Sequence, residues 1–308
     1  MPVDSTTEQE RVLGGSPLEY EGRTFDEWFR LICVPELVPR ARSVRILLRD
    51  PRSRLRRPRP LSWEVCHEIL AYREYSGRRY SVRRLIRMSN DRYRRLAALW
   101  PGEAPTREEL DAFYERSAEV LPWGHGVFLF DHDVEGRRRC WMRRVVLLRE
   151  LQRRGARSLL DFGAGGGHTS LLALALGFRR VVHHEYPVFH DYVLWRAHRL
   201  AAPAGGRFEV SSARRALELA EPVDAACCLD VAEHVADPER MLDEIARALR
   251  PGGLLVWVAC FEPSIACHLH FHLRGCEEDL LDRHGFERIG DLPVRYLGHT
   301  GLYRRRRA

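Results

Sequence analysis

Three glycines at alternating positions mark the segment of this sequence that is best suited to bind a ligand. Gly163, Gly165 and Gly167 follow a short apolar stretch and precede a run with helical spacing. Glycine lets a chain turn sharply and lets its backbone approach a ligand closely. One carboxylate, Asp161, lies just before the glycines, and a second, Glu185, ends the next apolar stretch. A glycine loop in this context predicts a site for a nucleotide-like ligand.

Several histidines lie where they could take a proton from a substrate. His268, His270 and His272 alternate, so in an extended segment all three face the same way. His234 follows a predicted strand, and His125 lies in a segment rich in turn residues. Histidine titrates near neutral pH and is the usual general base. We rank His270 first as the candidate base, then His234 and His125; for each, a loop histidine without chemistry is the alternative.

A metal site is the alternative use of the same region. Zinc sites in proteins have characteristic pairs such as C-x-x-C, and this sequence contains none. We therefore predict no bound metal, and we interpret Cys227 and Cys228 as small core residues. The possible soft ligands are Cys260, Cys267, His268, His270, His272 and Cys276.

The composition is that of a folded protein without a membrane segment. The 308 residues are 45% hydrophobic and 30% charged, which is enough apolar material for a sizeable core and excludes collagen-like and disordered classes. No apolar run approaches the roughly eighteen residues of a membrane span. The polar N-terminus does not resemble a signal peptide, and the eight cysteines then indicate reduced thiols in a cytoplasmic protein.

The charge is concentrated in the first half of the chain. All 50 basic residues are arginines, and residues 1–155 hold 31 of them against 23 acids. One interpretation is an anionic partner for this half. The other is the composition of a GC-rich gene, in which arginine replaces lysine throughout.

The predicted elements divide the chain into two regions. Thr24 with Glu27, and Thr106 with Glu109, form capping boxes that begin helices, and a further helix lies between Ser62 and Gly77. We therefore expect a helical, arginine-rich region over 1–105 that acts as a lid or recognises the substrate. From about residue 158 short apolar stretches alternate with helical patterns, including one around 213–220, which predicts βαβ units in a doubly wound, mostly parallel sheet. The second region is 106–308.

The segment from Asp161 to Gly167 resembles the D-x-G-x-G-x-G motif of class I S-adenosylmethionine-dependent methyltransferases. The segment 223–258 is similar to the same proteins: a strand ending at Asp230, then Val-Ala-Glu-His-Val, an amphipathic helix, Leu-Arg-Pro-Gly-Gly and another strand. With a later H-x-H-F and Gly-Phe, the pattern resembles the branch of ubiquinone-biosynthesis-type methyltransferases. The resemblance covers roughly residues 140–308.

The resemblance implies that S-adenosyl-L-methionine is the cofactor. It places the backbone of Gly163, Gly165 and Gly167 against this molecule. Asp161 is then expected near its sulfonium cation and amino-acid part. Glu185 is expected to accept hydrogen bonds from the two ribose hydroxyls, since one carboxylate can accept both.

The resemblance also implies which residues lie near the adenine and the substrate, and which fold the chain adopts. Ser212 or Ala213 is expected beside the adenine, where many relatives have an aspartate. Asp230 is expected where the methionine part of the cofactor meets the substrate. The implied fold is an α/β structure with a doubly wound, mostly parallel seven-stranded sheet and a helical N-terminal region.

The predicted function is methyl transfer, most simply to an oxygen of a small molecule or a modified peptide in a biosynthetic pathway. An acceptor with a high pKa needs a base, whereas a neutral amine needs less help, so N-methyl transfer is the second reading. An RNA-binding protein on a methyltransferase fold is the third. The stretch after Leu229 lacks the Asn/Asp-Pro-Pro-Tyr/Phe signature of enzymes that methylate nucleic-acid amines, which disfavours a nucleic-acid substrate. An anionic acceptor would fit the arginines.

Overall fold

The computed structural model describes most of the chain, and every structural statement below concerns the described part. This part comprises residues 18–44, 47–48, 59–78, 84, 95–96, 98–102, 105–117, 134–200, 205–259, 277–294 and 299–307.

The described N-terminal region consists mostly of helices and connecting loops, as predicted, and also contains four strands of two residues each. Thr24 and Thr106 both form their capping boxes, with Glu27 and Glu109. Gly77 ends its helix with a φ of +62°. The elements up to residue 153 are β1 (Glu19–Tyr20), β2 (Arg23–Thr24), α1 (Phe25–Arg30), α2 (Val38–Ser43), β3 (Leu47–Leu48), β4 (Arg59–Pro60), α3 (Trp63–Ser76), α4 (Arg107–Arg116) and α5 (Val134–Arg153).

The second region forms a seven-stranded α/β sheet. Its elements are β5 (Ser158–Phe162), α6 (His168–Ala175), β6 (Arg180–Glu185), α7 (His190–Ala197), β7 (Arg207–Ser212), β8 (Val223–Leu229), α8 (Pro238–Ala248), β9 (Leu249–Ala259), α9 (Glu277–Arg283), β10 (Phe286–Gly290) and β11 (His299–Arg305). The strand order is β10-β11-β9-β8-β5-β6-β7, and only the pairs that involve β11 are antiparallel. The predicted doubly wound, mostly parallel sheet is confirmed.

The order of the strands fixes where a ligand can bind. The chain runs outward from β5 through β6 to β7, and then returns to the other side of β5 with β8 and β9. In open α/β sheets, ligands bind at the carboxyl ends of the strands where this reversal occurs. The carboxyl ends of β5, β6 and β8 are therefore the edge at which a site is expected.

The strands alternate between two hydrophobic cores, one on each face of the sheet. Leu159 packs into one core and Leu160 into the other, and the adjacent Cys227 and Cys228 are divided in the same way. Both cysteines are fully buried, which confirms that they are core residues. The first core also contains Phe29, from α1, so the N-terminal helices form part of the layer that covers this face.

The predicted helix around 213–220 is wrong. The chain makes a turn after β7, closed by the hydrogen bond from the amide of Arg215 to the carbonyl oxygen of Ser212 (3.1 Å). The amide of Leu217 then donates to the Glu244 carboxylate (3.3 Å). This side-chain acceptor takes an amide that a helix would use within itself, and it holds the segment in an irregular conformation.

A buried ionic network joins α3 to the second region. The Glu68 carboxylate accepts two N–H groups of Arg196 on α7, at 2.8 and 3.0 Å, and Arg196 also donates to the carbonyl oxygen of Ile32. Nε2 of His168, the first residue of α6, lies 3.4 Å from the same carboxylate. Although burial opposes it, the charge of Arg196 lowers the pKa of Glu68 well below its usual value. The network thus fixes α3 next to the helix that follows the glycine loop.

None of the helices in the described segments combines the length and the apolar character needed to cross a membrane.

Candidate active site

The glycine loop connects the carboxyl end of β5 to the start of α6. All three glycines have positive φ angles: +67° at Gly163, +51° at Gly165 and +77° at Gly167. A Cβ atom at Gly163 would lie 2.5 Å from a Cγ of Val231, and one at Gly167 would lie 2.7 Å from a Cγ of Val193. Glycine is therefore required at both positions by backbone conformation and by contact. The loop lies at the sheet edge where the fold predicts a ligand.

Glu185 is the last residue of β6 and holds the loop from one side. Its two carboxylate oxygens accept the amide of Gly165 (2.7 Å) and the amide of Tyr186 (2.6 Å). Burial raises the pKa of Glu185 to about 7, against the effect of these two hydrogen bonds, and the nearby charge of Asp161 raises it further. The carboxylate can still accept further hydrogen bonds, since each oxygen has two acceptor positions.

Asp161 lies inside the sheet rather than in the loop. It is buried on β5, where the hydroxyl of Ser170 donates to its carboxylate at 2.5 Å and the same hydroxyl lies 3.0 Å from Nδ1 of His183. Burial raises the pKa of Asp161 to about 6, although the Ser170 hydrogen bond lowers it. The hydrogen bond from Ser170 therefore ties the end of β5 to α6, the helix that follows the glycine loop.

A cavity of about 410 Å³ lies over the loop, within the usual size range for small-molecule sites. Five of the predicted residues line this cavity. Ala213 lines it as well, but Ser212 does not. Asp161, Gly167 and Ser212 are outside the lining: Asp161 is buried on β5, Gly167 is the last glycine of the loop, and Ser212 ends β7. The five predicted residues that line the cavity are Gly163, Gly165, Glu185, Asp230 and His234.

Asp230 and His234 form the wall of the cavity that follows β8. Asp230 has a φ of +55°, which is uncommon for a residue with a side chain, and its amide donates to the carbonyl oxygen of Val258 at 2.9 Å. Such strained residues are concentrated at functional sites. His234 ends a single 3₁₀ turn, Ala232–His234, that follows directly. Both side chains border the cavity opposite Glu185.

The helix α4, which was not predicted to belong to the site, also covers the cavity. Arg107, Leu110 and Tyr114 line the cavity, and their spacing places them on one face of the helix. The ring of Tyr114 stacks on that of Tyr186, with centroids 3.8 Å apart and planes 16° from parallel. Arg107 donates to the carbonyl oxygen of Ala213. The i, i+3, i+7 spacing after the capping box was the signal that could have revealed this face.

Several predicted residues lie outside the described residues. These are the candidate bases His270 and His125, together with His268 and His272. The cysteines of the possible metal cluster, Cys260, Cys267 and Cys276, lie outside them as well. Within the described residues, no group of three or more histidine, cysteine or acidic side chains is placed to hold a metal ion.

The residues that border the cavity fit S-adenosylmethionine. At Gly163 and Gly165 the loop borders the cavity without side chains, so a ligand there meets the backbone. Glu185 places a carboxylate at the end of β6, where its remaining acceptor positions can take ribose hydroxyls. Asp230 supplies a second carboxylate opposite, and carboxylates suit a ligand that carries an ammonium and a sulfonium.

This combination defines a class of protein. A glycine loop after the first strand of a β10-β11-β9-β8-β5-β6-β7 sheet, with an acidic residue ending the next strand, is the class I methyltransferase arrangement. The family model described as a methyltransferase domain matches residues 131–290, just over half of the chain. The chain belongs to this methyltransferase family, whose cofactor is S-adenosylmethionine. The narrower ubiquinone-type branch stays a prediction.

Relatives are consistent with this family. An uncharacterized methyltransferase from Mycobacterium sp. (strain JLS) is 39% identical over 104 residues, which are 33% of this chain and 38% of that protein. The match thus spans well under half of that relative's length.

Two solved structures are similar at a TM-score of 0.49 and 14% identity. One is the magnesium protoporphyrin IX methyltransferase of Synechocystis PCC 6803 with bound S-adenosylhomocysteine, and the similarity covers 65% of this chain and 100% of that one. The other is an O-methyltransferase family protein from Burkholderia thailandensis, with 89% of this chain and 82% of that one covered.

Proposed function

We propose that the protein transfers the methyl group of S-adenosylmethionine to an oxygen of a small molecule or modified peptide. The observation that carries this proposal is the single cavity that joins the glycine loop and Glu185 on one side to Asp230 and His234 on the other. One side of the cavity has the chemistry to hold the cofactor. The other side has an acid and a histidine at the point where an acceptor would meet it.

Each part of the cavity has a role in this proposal. The backbone at Gly163 and Gly165 and the Glu185 carboxylate hold the cofactor, and Ala213 lies beside its adenine. The bound cofactor supplies an electrophilic methyl carbon. Methyl transfer is a displacement in line with the leaving sulfur, so alignment of the acceptor gives much of the acceleration. Asp230 and the turn that carries His234 provide that alignment.

The base that takes the acceptor's proton is proposed among three histidines. His234 borders the cavity, which supports its candidacy. His270 and His125 remain candidates from the sequence, with His270 first. An amine acceptor would need no strong base, so N-methyl transfer is the alternative for the same cavity. The proposed role of region 1–105 is recognition of the acceptor, with its arginines suited to an anionic one.

Calorimetry with S-adenosylhomocysteine tests the cofactor assignment without knowledge of the acceptor. We expect micromolar binding to the full chain and a rise in the melting temperature. Because only the folded state binds, a ligand at a hundred times its Kd stabilises by about 2.7 kcal/mol. NAD is the control ligand, since other nucleotide folds use a similar glycine loop. Binding of NAD without binding of S-adenosylhomocysteine would contradict the proposal.

A further inference from the structure

A second concave surface lies at the opposite edge of the sheet from the cofactor cavity. It has a volume of about 720 Å³ and is continuous with a smaller one of about 280 Å³. The strands β8 and β9 begin here and the antiparallel β11 ends here, so this is the amino edge of the parallel strands. We call this surface the arginine groove; it is lined by Arg154, Asp224, Arg250, Gly252, Glu287 and Arg304–Arg307, with Ala156 and Leu254.

Two of the guanidinium groups are held in place by the protein itself. Nε of Arg250 donates to one oxygen of Asp224 at 2.7 Å. The other oxygen of Asp224 accepts the amide of Arg157, and both the amide and the hydroxyl of Ser158, at 2.8 to 3.0 Å. Arg305 donates to the carbonyl oxygen of Leu249. These groups are positioned before any ligand binds, which lowers the entropic cost of binding one.

The groove keeps an excess of positive charge after its ion pairs are counted. Arg304 lies 3.5 Å from Glu287, and Arg250 is paired with Asp224. Outside the lining, Asp282 pairs with Arg306 and Glu150 pairs with Arg154. Six guanidiniums therefore face four carboxylates. Arg307 is exposed and forms no ion pair with any residue in the described ranges.

We propose that the arginine groove binds a chain of phosphate groups. The guanidinium fork matches the geometry of phosphate oxygens and binds them in pairs. Arg304 and Arg305 end β11, and Arg306 and Arg307 follow it. Four extended residues span about 10 Å, a length that reaches two successive phosphates. No aromatic side chain appears in the described lining, so the groove has nothing on which bases could stack. The ligand is an oligophosphate, either free polyphosphate or the backbone of a nucleic acid.

Fluorescence anisotropy with a labelled single-stranded oligouridine RNA, with inorganic tripolyphosphate as competitor, tests the proposal on the full chain. The variant is Arg304→Glu/Arg307→Glu, and Arg304→Gln/Arg307→Gln repeats it without charge reversal. Arg215→Glu, an exposed arginine in the turn after β7 and outside both the groove and the cofactor cavity, is the control. Melting temperature and S-adenosylhomocysteine affinity are measured for each variant, because neither should change if the groove is separate from the cofactor cavity.

We expect the double variants to bind RNA about tenfold or more weakly at low salt, with a smaller dependence on salt, because each lost phosphate contact reduces the slope by about 0.7. Displacement of the RNA by tripolyphosphate supports a site for phosphates in general. If tripolyphosphate binds directly but the RNA does not bind, the ligand of the site is free polyphosphate. The proposal is wrong if neither probe binds below millimolar concentration, if the double variants bind as the wild type does, or if Arg215→Glu weakens binding as much as they do.

Discussion

Buried carboxylates in two regions of this protein have opposite electrostatic surroundings. Glu68, between the N-terminal helices and α7, is paired with Arg196, and its pKa is lowered. Glu185, at the carboxyl edge of the sheet, accepts two backbone amides and forms no ion pair within the described ranges, and its pKa is raised to about 7. A paired buried charge serves the fold, whereas an unpaired one with a shifted pKa marks a site that awaits a ligand.

The largest effect on stability is expected at Glu68, in the buried ion pair. Glu68→Gln leaves the Arg196 guanidinium buried without its counter-charge, and we expect a loss of about 3–5 kcal/mol in the free energy of unfolding. Denaturation with urea measures it. The double variant Glu68→Leu/Arg196→Leu should recover much of this loss, and Glu36→Gln, an exposed acid, should change little. A loss below about 1 kcal/mol would mean that the network does not hold α3 to the second region.

At the cofactor edge, the largest effect is expected at Gly163. Gly163→Ala forces a side chain into a positive φ and against Val231, at a cost of about 1–3 kcal/mol that should appear as weaker S-adenosylhomocysteine binding. Val231→Ala in the same chain should restore part of the affinity by removing the contact. The control is Gly177→Ala, which has a similar φ but open space around it. Equal effects of the two glycine variants on affinity would show that the contact between Gly163 and Val231 does not matter for binding.

The raised pKa of Glu185 predicts that cofactor binding depends on pH. The ionised carboxylate is the form that accepts two ribose hydroxyls, so S-adenosylhomocysteine should bind about tenfold more weakly one pH unit below a pKa of about 7 than well above it. Calorimetry across this range measures the change. Burial lowers the pKa of His183 to about 3 and of His184 to about 4, so both stay neutral here. Glu185→Gln should remove the dependence; if it persists, another group titrates.

The same shift predicts the sign of a change in stability without ligand. In the folded protein the pKa of Glu185 lies above its usual value of 4.5. The stabilisation by this group is therefore fully present when the pH is below 4.5. Its contribution is lost as the pH rises through about 7. Ligand affinity and the stability of the free protein are therefore expected to change in opposite directions with pH.

The smallest effect is expected at Tyr114, on the cover helix. Tyr114→Leu removes the stacking of Tyr114 on Tyr186, which is worth about 0.5–1.5 kcal/mol. Because this stacking holds one wall of the cavity in place, the variant should bind S-adenosylhomocysteine more weakly. Tyr114→Phe keeps the ring and should bind as the wild type does. Tighter binding by Tyr114→Leu would show instead that the tyrosine competes with the cofactor.

The sequence predicted the sheet edge better than it predicted the N-terminal region. Glycine spacing and strand-end acids are local patterns, and Gly163 and Glu185, which they indicated, line one cavity. Their contact with the cofactor stays a prediction. The pairing of Glu68 with Arg196 joins residues 128 positions apart, and no local pattern reports it. The cover by α4 was missed for a similar reason. Its capping box predicts a helix and its i, i+3, i+7 spacing marks one face, but only the tertiary packing of Tyr114 on Tyr186 shows that this face covers the cavity.

The central claim is that the carboxyl edge holds S-adenosylmethionine through Glu185. Calorimetry with S-adenosylhomocysteine on Glu185→Ala, with Glu218→Ala as the exposed control, tests it most directly. We predict that Glu185→Ala weakens binding by about 1.5–3 kcal/mol, the range for hydrogen bonds to a charged group, and that Glu218→Ala binds as the wild type does. An unchanged Kd for Glu185→Ala would contradict the account, because another residue would then hold the ribose.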